Sequence, residues 1–333
     1  MTDDVKGRTS AAGAGRAGAA SVLPPLDDAG DGVDRSRREL AIDKKSVRAA
    51  FARAAARYDA AAVLQREIAD RLLARLDYMR IAPQRILDLG CGTGYAIGLL
   101  HKRYPAAHLV GLDIALAMTT TARTHTLPRW PFGLGRHLSR SRFVNADAEA
   151  LPFADRSFDL VFSNLALQWC NPDAVFRECR RVLRPGGLLL FTTFGPDTLK
   201  ELRAAWRAVD RDPHVHAFID MHDLGDALVR ARFADPVMDV ESLTLTYADV
   251  PGVLRDLKAI GAHNAASARN ATLTGKAHFA RFVQAYEVFR RADDRIPASY
   301  ETVYGHAWAP STRDEVQGAR GEGWMPVSVI RRS

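Results

Sequence analysis

The stretch Arg85-Ile86-Leu87-Asp88-Leu89-Gly90-Cys91-Gly92-Thr93-Gly94 constrains this chain more than any other part of it. A short apolar run ends in an acid, passes into alternating glycines and leads into the helical pattern Tyr95-Ala96-Ile97-Gly98-Leu99-Leu100. That order specifies a buried strand, a tight backbone turn and a helix start. The glycines admit left-handed dihedrals and let a ligand approach the main chain, and the helix beyond them offers unpaired N–H groups. A second apolar run, Ala107-His108-Leu109-Val110-Gly111-Leu112-Asp113, also ends in an acid, placed to accept both hydroxyls of a ribose. Together the two runs predict a nucleoside-binding α/β sheet.

Two cofactors fit a glycine turn followed by a ribose-binding acid. A nicotinamide dinucleotide prefers G-x-G-x-x-G, with its pyrophosphate on the helix N-terminus. Here Gly90, Gly92 and Gly94 give G-x-G-x-G, and Asp88 stands two residues before the first glycine. A carboxylate there repels a pyrophosphate but accepts a hydrogen bond from an ammonium group. S-adenosylmethionine carries an ammonium and no phosphate, so it is the cofactor these residues favour, with S-adenosylhomocysteine as its product form.

At 333 residues the chain has room for one α/β domain with insertions. No apolar run is long enough to span a bilayer, so no membrane partner is expected. The net charge of +7 leaves docking of an acidic partner open. Residues 1–38, rich in Ala, Gly, Asp and Arg, read as a disordered tail, and Asp3 and Asp4 argue against a secretory signal. Cys91, Cys170 and Cys179 lack the paired spacing of a disulfide framework or zinc site, so a reducing cytoplasm is expected. His214, His216 and His222 have no Cys partner in sequence and read as a polar loop, with no metal expected.

From Asp43 to Leu76 apolar residues recur at spacings of three and four, giving two amphipathic helices broken near Asp59. They precede the nucleotide fold, so residues 39–80 are read as a lid. Phe143–Ala148 and Phe158–Asn164 read as the third and fourth strands, Pro172–Leu183 as a helix, Arg184–Gly187 as a turn and Leu188–Phe194 as the fifth strand. This alternation predicts a doubly wound, mainly parallel α/β sheet over residues 81–310. A surface insertion is expected at about 127–141, a substrate-cap insertion at about 211–295, helical except for a strand ending near Tyr247, and a flexible tail over 311–333.

On these residues the chain resembles the class I S-adenosylmethionine-dependent methyltransferases, through Asp88–Gly94, Asp113, Asp147-Ala148 and Leu183-Arg184-Pro185-Gly186-Gly187. More narrowly, it is similar to the malonyl-acyl-carrier-protein O-methyltransferases of biotin synthesis. That likeness rests on Ala50-Phe51-Ala52-Arg53-Ala54-Ala55 with Tyr58, on Ser163-Asn164-Leu165-Ala166-Leu167-Gln168-Trp169-Cys170, on Phe191-Thr192-Thr193-Phe194 and on Leu257-Lys258-Ala259-Ile260-Gly261-Ala262. It runs from about Asp43 to Pro310. The resemblance implies a Rossmann-like fold, with cofactor contacts from Asp88, Gly90, Gly92, Gly94, Asp113, Ile114, Asp147, Ala148 and Asn164. It implies substrate contacts from Arg53, Tyr58, Gln168 and Trp169, and methyl transfer to the free carboxylate of a malonyl thioester on acyl carrier protein. A carboxylic acid is already ionised at neutral pH, so no residue is required as a general base. Arg53 is the candidate to pair with one carboxylate oxygen, Trp169 to exclude water, and the Asn164 and Gln168 amides to bind a thioester carbonyl or the cofactor. Arg177, Arg180 and Arg181 are candidate contacts for the carrier protein.

Two other readings stand beside this one. The first is a methyltransferase on a small metabolite such as a quinone precursor. The second is a methyltransferase-fold assembly factor acting on a protein partner, because Phe194–Leu199 and Tyr300–Trp308 are similar to a mitochondrial respiratory complex I assembly factor. The Gln168-Trp169-Cys170 element and the intact glycine motif favour the carrier-protein reading. The fourth strand lacks the Asn-Pro-Pro-aromatic pattern of enzymes that methylate base nitrogens, so no nucleic-acid substrate is expected.

Overall fold

Asp43 accepts the Lys45 and Ser46 N–H groups, which caps helix α1 (Lys44–Ala54). The computed structural model describes residues 42–126, 141–210, 212–262, 264 and 275–311. The expected N-terminal tail lies outside the described residues, as do nearly all of the 127–141 insertion and of the C-terminal tail. After α1 come α2 (Tyr58–Ala61) and α3 (Val63–Ala74), so the two helices expected from periodicity are three. The chain turns at Ala55–Arg57, just before Asp59, and again at Ala62. Val47, Ala50 and Ala54 form the buried stripe of α1.

The sheet begins with β1 (Arg85–Leu89), followed by α4 (Tyr95–Arg103), β2 (His108–Asp113), α5 (Leu116–Thr126), β3 (Ser141–Asn145) and β4 (Phe158–Ser163). Next come α6 (Pro172–Val182), β5 (Leu183–Phe194), α7 (Lys200–Arg207), α8 (Met221–Arg230) and β6 (Ala234–Tyr247). The helices α9 (Val250–Ala259) and α10 (Lys276–Glu287) precede the last strand, β7 (Ile296–Trp308). The strand order is β3-β2-β1-β4-β5-β7-β6. The first five are parallel, and β7 runs antiparallel between β5 and β6. This is the doubly wound, mainly parallel sheet that the sequence predicts.

Both faces of the sheet are covered, which is why its central strands are mainly apolar. Successive residues point to opposite faces. Ile86, Leu109, Leu160, Leu188 and Leu190 join one core with Leu72 of α3 and Leu100 of α4. Leu87, Leu89, Val161, Leu189 and Phe191 join the other, with Phe176 of α6 and Leu228 of α8. Parallel pairing of β2–β1–β4 brings their carboxyl ends to one edge, so the turn after β1, Asp113 and Asn164 meet there.

One expectation is corrected. Arg184–Gly187 is not a free turn but part of β5: Leu183 pairs with Phe158, and Gly186 and Gly187 exchange backbone hydrogen bonds with Ala309. The strand expected to end near Tyr247 is β6, which pairs with β7 along nearly its whole length and completes the sheet. Helices α9 and α10 bury Val253, Leu257, Phe282 and Tyr286 against the same core as Ile296 and Tyr300 of β7.

Candidate active site

The turn after β1 is held by its neighbours. The Gly90 and Cys91 N–H groups both donate to the Leu112 carbonyl of β2, at 2.7 and 2.9 Å. Gly90 has φ +78°, and a Cβ there would stand 2.3 Å from Cβ of Ala166. Only glycine lets the loop after β4 pass this close. Across the turn, Asp113 accepts the Gly92 N–H on Oδ2 at 3.0 Å and the Ala115 N–H on Oδ1 at 2.8 Å. These bonds fix the carboxylate and leave further lone pairs for two ribose hydroxyls. Burial pushes the Asp113 carboxyl up to about 6, against the pull of those two N–H groups.

Asp88 is 1% exposed, and its Oδ2 has no hydrogen-bond partner. Burial, and then the neighbouring Asp113, push its carboxyl up to about 8. A buried carboxyl oxygen without a donor asks for one. It lines a cleft with Thr93, Gln65 and Tyr58 that adjoins a cavity walled by Gly90, Gly92, Asp113, Ile114, Met118 and Ala148. An orphan acid for an ammonium, an oriented acid for a ribose and an apolar slot for a flat base fit S-adenosylmethionine. Every cofactor candidate except Gly94 lines one of these two spaces. Gly94 instead starts α4, at φ +90°.

Helix α1 covers the nucleoside cavity. Lys44 donates to Asp147 Oδ1 at 2.7 Å and pairs with Glu149 at 2.9 Å, which ties the helix to the end of β3. The Asp147 contacts from Lys44 and from the Glu149 N–H both fall on Oδ1. Phe51 meets Trp169 edge-on at 5.5 Å, and Tyr58 reaches both the cavity and the cleft.

Trp169 forms a wall of this cavity and of a second one, of about 310 Å³. Phe194, Leu202, Trp206, Phe218, Leu257 and Tyr300 give the second cavity an apolar lining, interrupted by Gln168, His214 and His216. The amides expected to serve ligands are largely used by the protein. Asn164 donates to the Gln65 carbonyl at 2.9 Å and accepts from Thr192 Oγ1 at 2.9 Å, which braces the end of β4. Gln168 donates to the Leu165 carbonyl at 2.7 Å and accepts from Thr193 Oγ1 at 3.4 Å.

The structure does not bring Arg53 to either cavity. It is exposed, because the buried stripe Val47–Ala50–Ala54 turns position 53 outward. Arg181 is bound to Glu178, Asp155 and two backbone carbonyls, so it braces α6 rather than standing free. Sequence reasoning missed Lys44, for which only its place in the first turn of α1 was a signal. It also missed the second cavity, whose walls come from five separated segments. No cluster of His, Cys, Asp or Glu suited to a metal occurs among the described residues.

Residues 87–191 match a family model described as a methyltransferase domain. The malonyl-[acyl-carrier protein] O-methyltransferase of Gallionella capsiferriformans is 54% identical over 284 residues, spanning 84% of this chain and 96% of its own length. That of Laribacter hongkongensis is 56% identical over 273 residues, spanning 81% and 91%. Among solved structures, the YcgJ protein of Bacillus subtilis matches with a TM-score of 0.51 at 17% identity, covering 73% of this chain and 99% of that one; it shares the fold.

Proposed function

Since the chain belongs to the malonyl-[acyl-carrier protein] O-methyltransferase family, we propose that its two cavities, which share Trp169 as a lining residue, hold S-adenosylmethionine and the malonyl thioester of acyl carrier protein so that the reactants meet beside the indole. The enzyme methylates the free malonyl carboxylate to its methyl ester, a step of biotin synthesis. The observation that carries the two-cavity reading is the shared wall: one indole lines both the nucleoside cavity and an apolar cavity of about 310 Å³.

When bound, the cofactor would supply an electrophilic methyl group for the carboxylate oxygen, with the thioether S-adenosylhomocysteine as the leaving group. Asp88 would accept from its ammonium group and Asp113 from its ribose hydroxyls, while Gly90 and Gly92 leave the backbone open to it. Ile114, Asp147 and Ala148 line the cavity that would hold the base, and Gly94 and Asn164 hold the turn and the strand end in place. Tyr58, Gln168 and Trp169 border the substrate and keep water from the carboxylate, whose hydration would blunt it as a nucleophile. Holding the reacting atoms in line is the main task, since the acid ionises without help from a base. Buried Cys91 and partly buried Cys170 are not competing nucleophiles: desolvation pushes the Cys170 thiol up to about 12 and the Cys91 thiol well above its usual value.

An acidic carrier protein is the partner proposed for this basic chain, and an apolar cavity offers nothing to a nucleic acid. A cytoplasmic setting accords with Cys91, Cys170 and Cys179 standing as free thiols. Incubation with methyl-labelled cofactor and malonyl-, succinyl- or unacylated carrier protein tests the reading. Label should enter malonyl-carrier protein as a base-labile ester and should not enter the unacylated protein. Label on the unacylated protein, or on neither, refutes it.

A further inference from the structure

His216 is the polar group that the mechanism above leaves unused. It is 5% exposed, it lines the cavity beyond Trp169, and its Nε2 has no hydrogen-bond partner. Its ring lies 4.8 Å from that of Trp169 and 4.6 Å from that of Phe218, centroid to centroid. Burial, and then the charge of Arg203, drive its pKa down to about 4, so it is a neutral ring at physiological pH.

Arg203 stands behind the same wall, on α7. One of its terminal nitrogens donates to the Thr198 carbonyl, and its guanidinium lies 5.9 Å from the centroid of Phe218; both Thr198 and Phe218 line the cavity. Its side chain is partly buried, with Asp197 near enough to favour the charged form against burial, and its Nε is buried without a hydrogen-bond partner. A buried polar atom without a partner costs free energy. His216 with Arg203 close enough to lower its pKa, and with Lys258 in the same mostly apolar lining, describes a subsite suited to an anion.

Resting on the reading of this cavity as the acyl site, we propose that His216 and Arg203 are specificity-determining residues that recognise the free carboxylate of the acyl group. His216 donates its Nε2–H to the oxygen that does not attack. Arg203 supplies the positive charge that separates the acid from an uncharged acyl chain. This is the task expected of Arg53 on sequence grounds, moved to a partly buried arginine behind the cavity wall. Neither group exchanges a proton with the substrate, so both act by binding and positioning.

The test uses full-length protein loaded with S-adenosylhomocysteine, so that no turnover occurs, with the fluorescence of Trp169 and Trp206 in the cavity wall as the signal. Malonyl- and acetyl-carrier protein are titrated against wild type, Arg203→Gln, Arg203→Lys and His216→Phe. Wild type should favour the malonyl form. Arg203→Gln should lose about ten- to a hundredfold in malonyl affinity and little in acetyl affinity, and Arg203→Lys should recover part of the difference. His216→Phe, which keeps the ring packing, should lose malonyl affinity by about tenfold and raise KM more than it lowers kcat. A wild-type preference that persists in Arg203→Gln overturns the proposal, as does an equal loss for both ligands, which would put the pair on the thioester instead. If Arg203→Gln does not fold, Arg203→Lys and His216→Phe decide by the same criterion. Failure of the cavity reading itself looks different: wild type would then bind neither acyl form in this cavity.

Discussion

Replacing Asp88 by Asn should separate the charge of this residue from its shape. In the free protein burial pushes the carboxyl up to about 8, so at pH 7 the protonated form is favoured. An ammonium group placed against Oδ2 favours the carboxylate, and binding should therefore release protons from this site at pH 7. Asp88→Asn retains the volume but can neither ionise nor release a proton. Loss of one charge-assisted hydrogen bond, about 1.5–3 kcal/mol, should weaken S-adenosylhomocysteine binding by ~10- to 150-fold. Calorimetric titrations at pH 7 in two buffers of different ionisation enthalpy give both the affinity and the proton count. The same residue sets a stability trend. Its folded-state pKa lies above its unfolded value of about 3.9, so the folded state holds the extra proton. Its contribution is complete below about pH 4 and is lost as the pH rises toward 8. The ligand-free wild type should thus lose melting temperature over that window by more than Asp88→Asn does. Equal proton release from wild type and variant, with equal affinity, would refute the assignment of Asp88 to the ammonium group.

Asp113→Ala removes the ribose acceptor and also strands the Gly92 and Ala115 N–H groups; S-adenosylhomocysteine affinity should fall by at least tenfold and the melting point with it. Gly90→Ala forces a Cβ against Ala166 at a left-handed residue; a loss of about 2–4 kcal/mol in denaturant unfolding is expected, with cofactor binding lost in parallel. Lys44→Ala breaks two partly exposed ion pairs, so stability should drop by only about 0.5–1 kcal/mol, while stopped-flow release of S-adenosylhomocysteine should quicken severalfold. The ratio of kcat/KM for malonyl-carrier protein over malonyl-coenzyme A should shrink as salt rises, because attraction beyond ~8 Å is already screened at 0.15 M; a flat ratio would remove long-range charge from docking.

The nucleoside half of the site was legible because its signals are local. A strand, a glycine turn and a helix start follow one another over Arg85–Arg103, and Asp113 ends the next strand, so a few neighbouring residues specify the geometry. The second cavity was not legible, because it exists only where α7, α9, the segment around His216 and Tyr300 of β7 meet. No short pattern announces that meeting. His216 carries no sequence signal of its own: it became a buried, unpartnered ring only through packing against Trp169 and Phe218. Position 53 could have been read better, since the periodicity that turns Val47, Ala50 and Ala54 inward turns Arg53 outward. For β6 the end at Tyr247 was legible but the start at Ala234 was not. It is an edge strand with residues only partly covered, so apolar alternation is diluted along its length.

Because a single indole closes both cavities, their occupants are not energetically independent. Whatever factor an acyl chain applies to cofactor affinity through the ring of Trp169, the cofactor must apply to the acyl chain, since the thermodynamic cycle of the two binding steps has to close. Methyl transfer changes both occupants at once: the acid loses its negative charge and the sulfonium its positive one. On the proposed placement, the coupling that assembles the reactants therefore takes a different value for the products, and the attraction between the two opposite charges that meet beside that ring ends with the reaction.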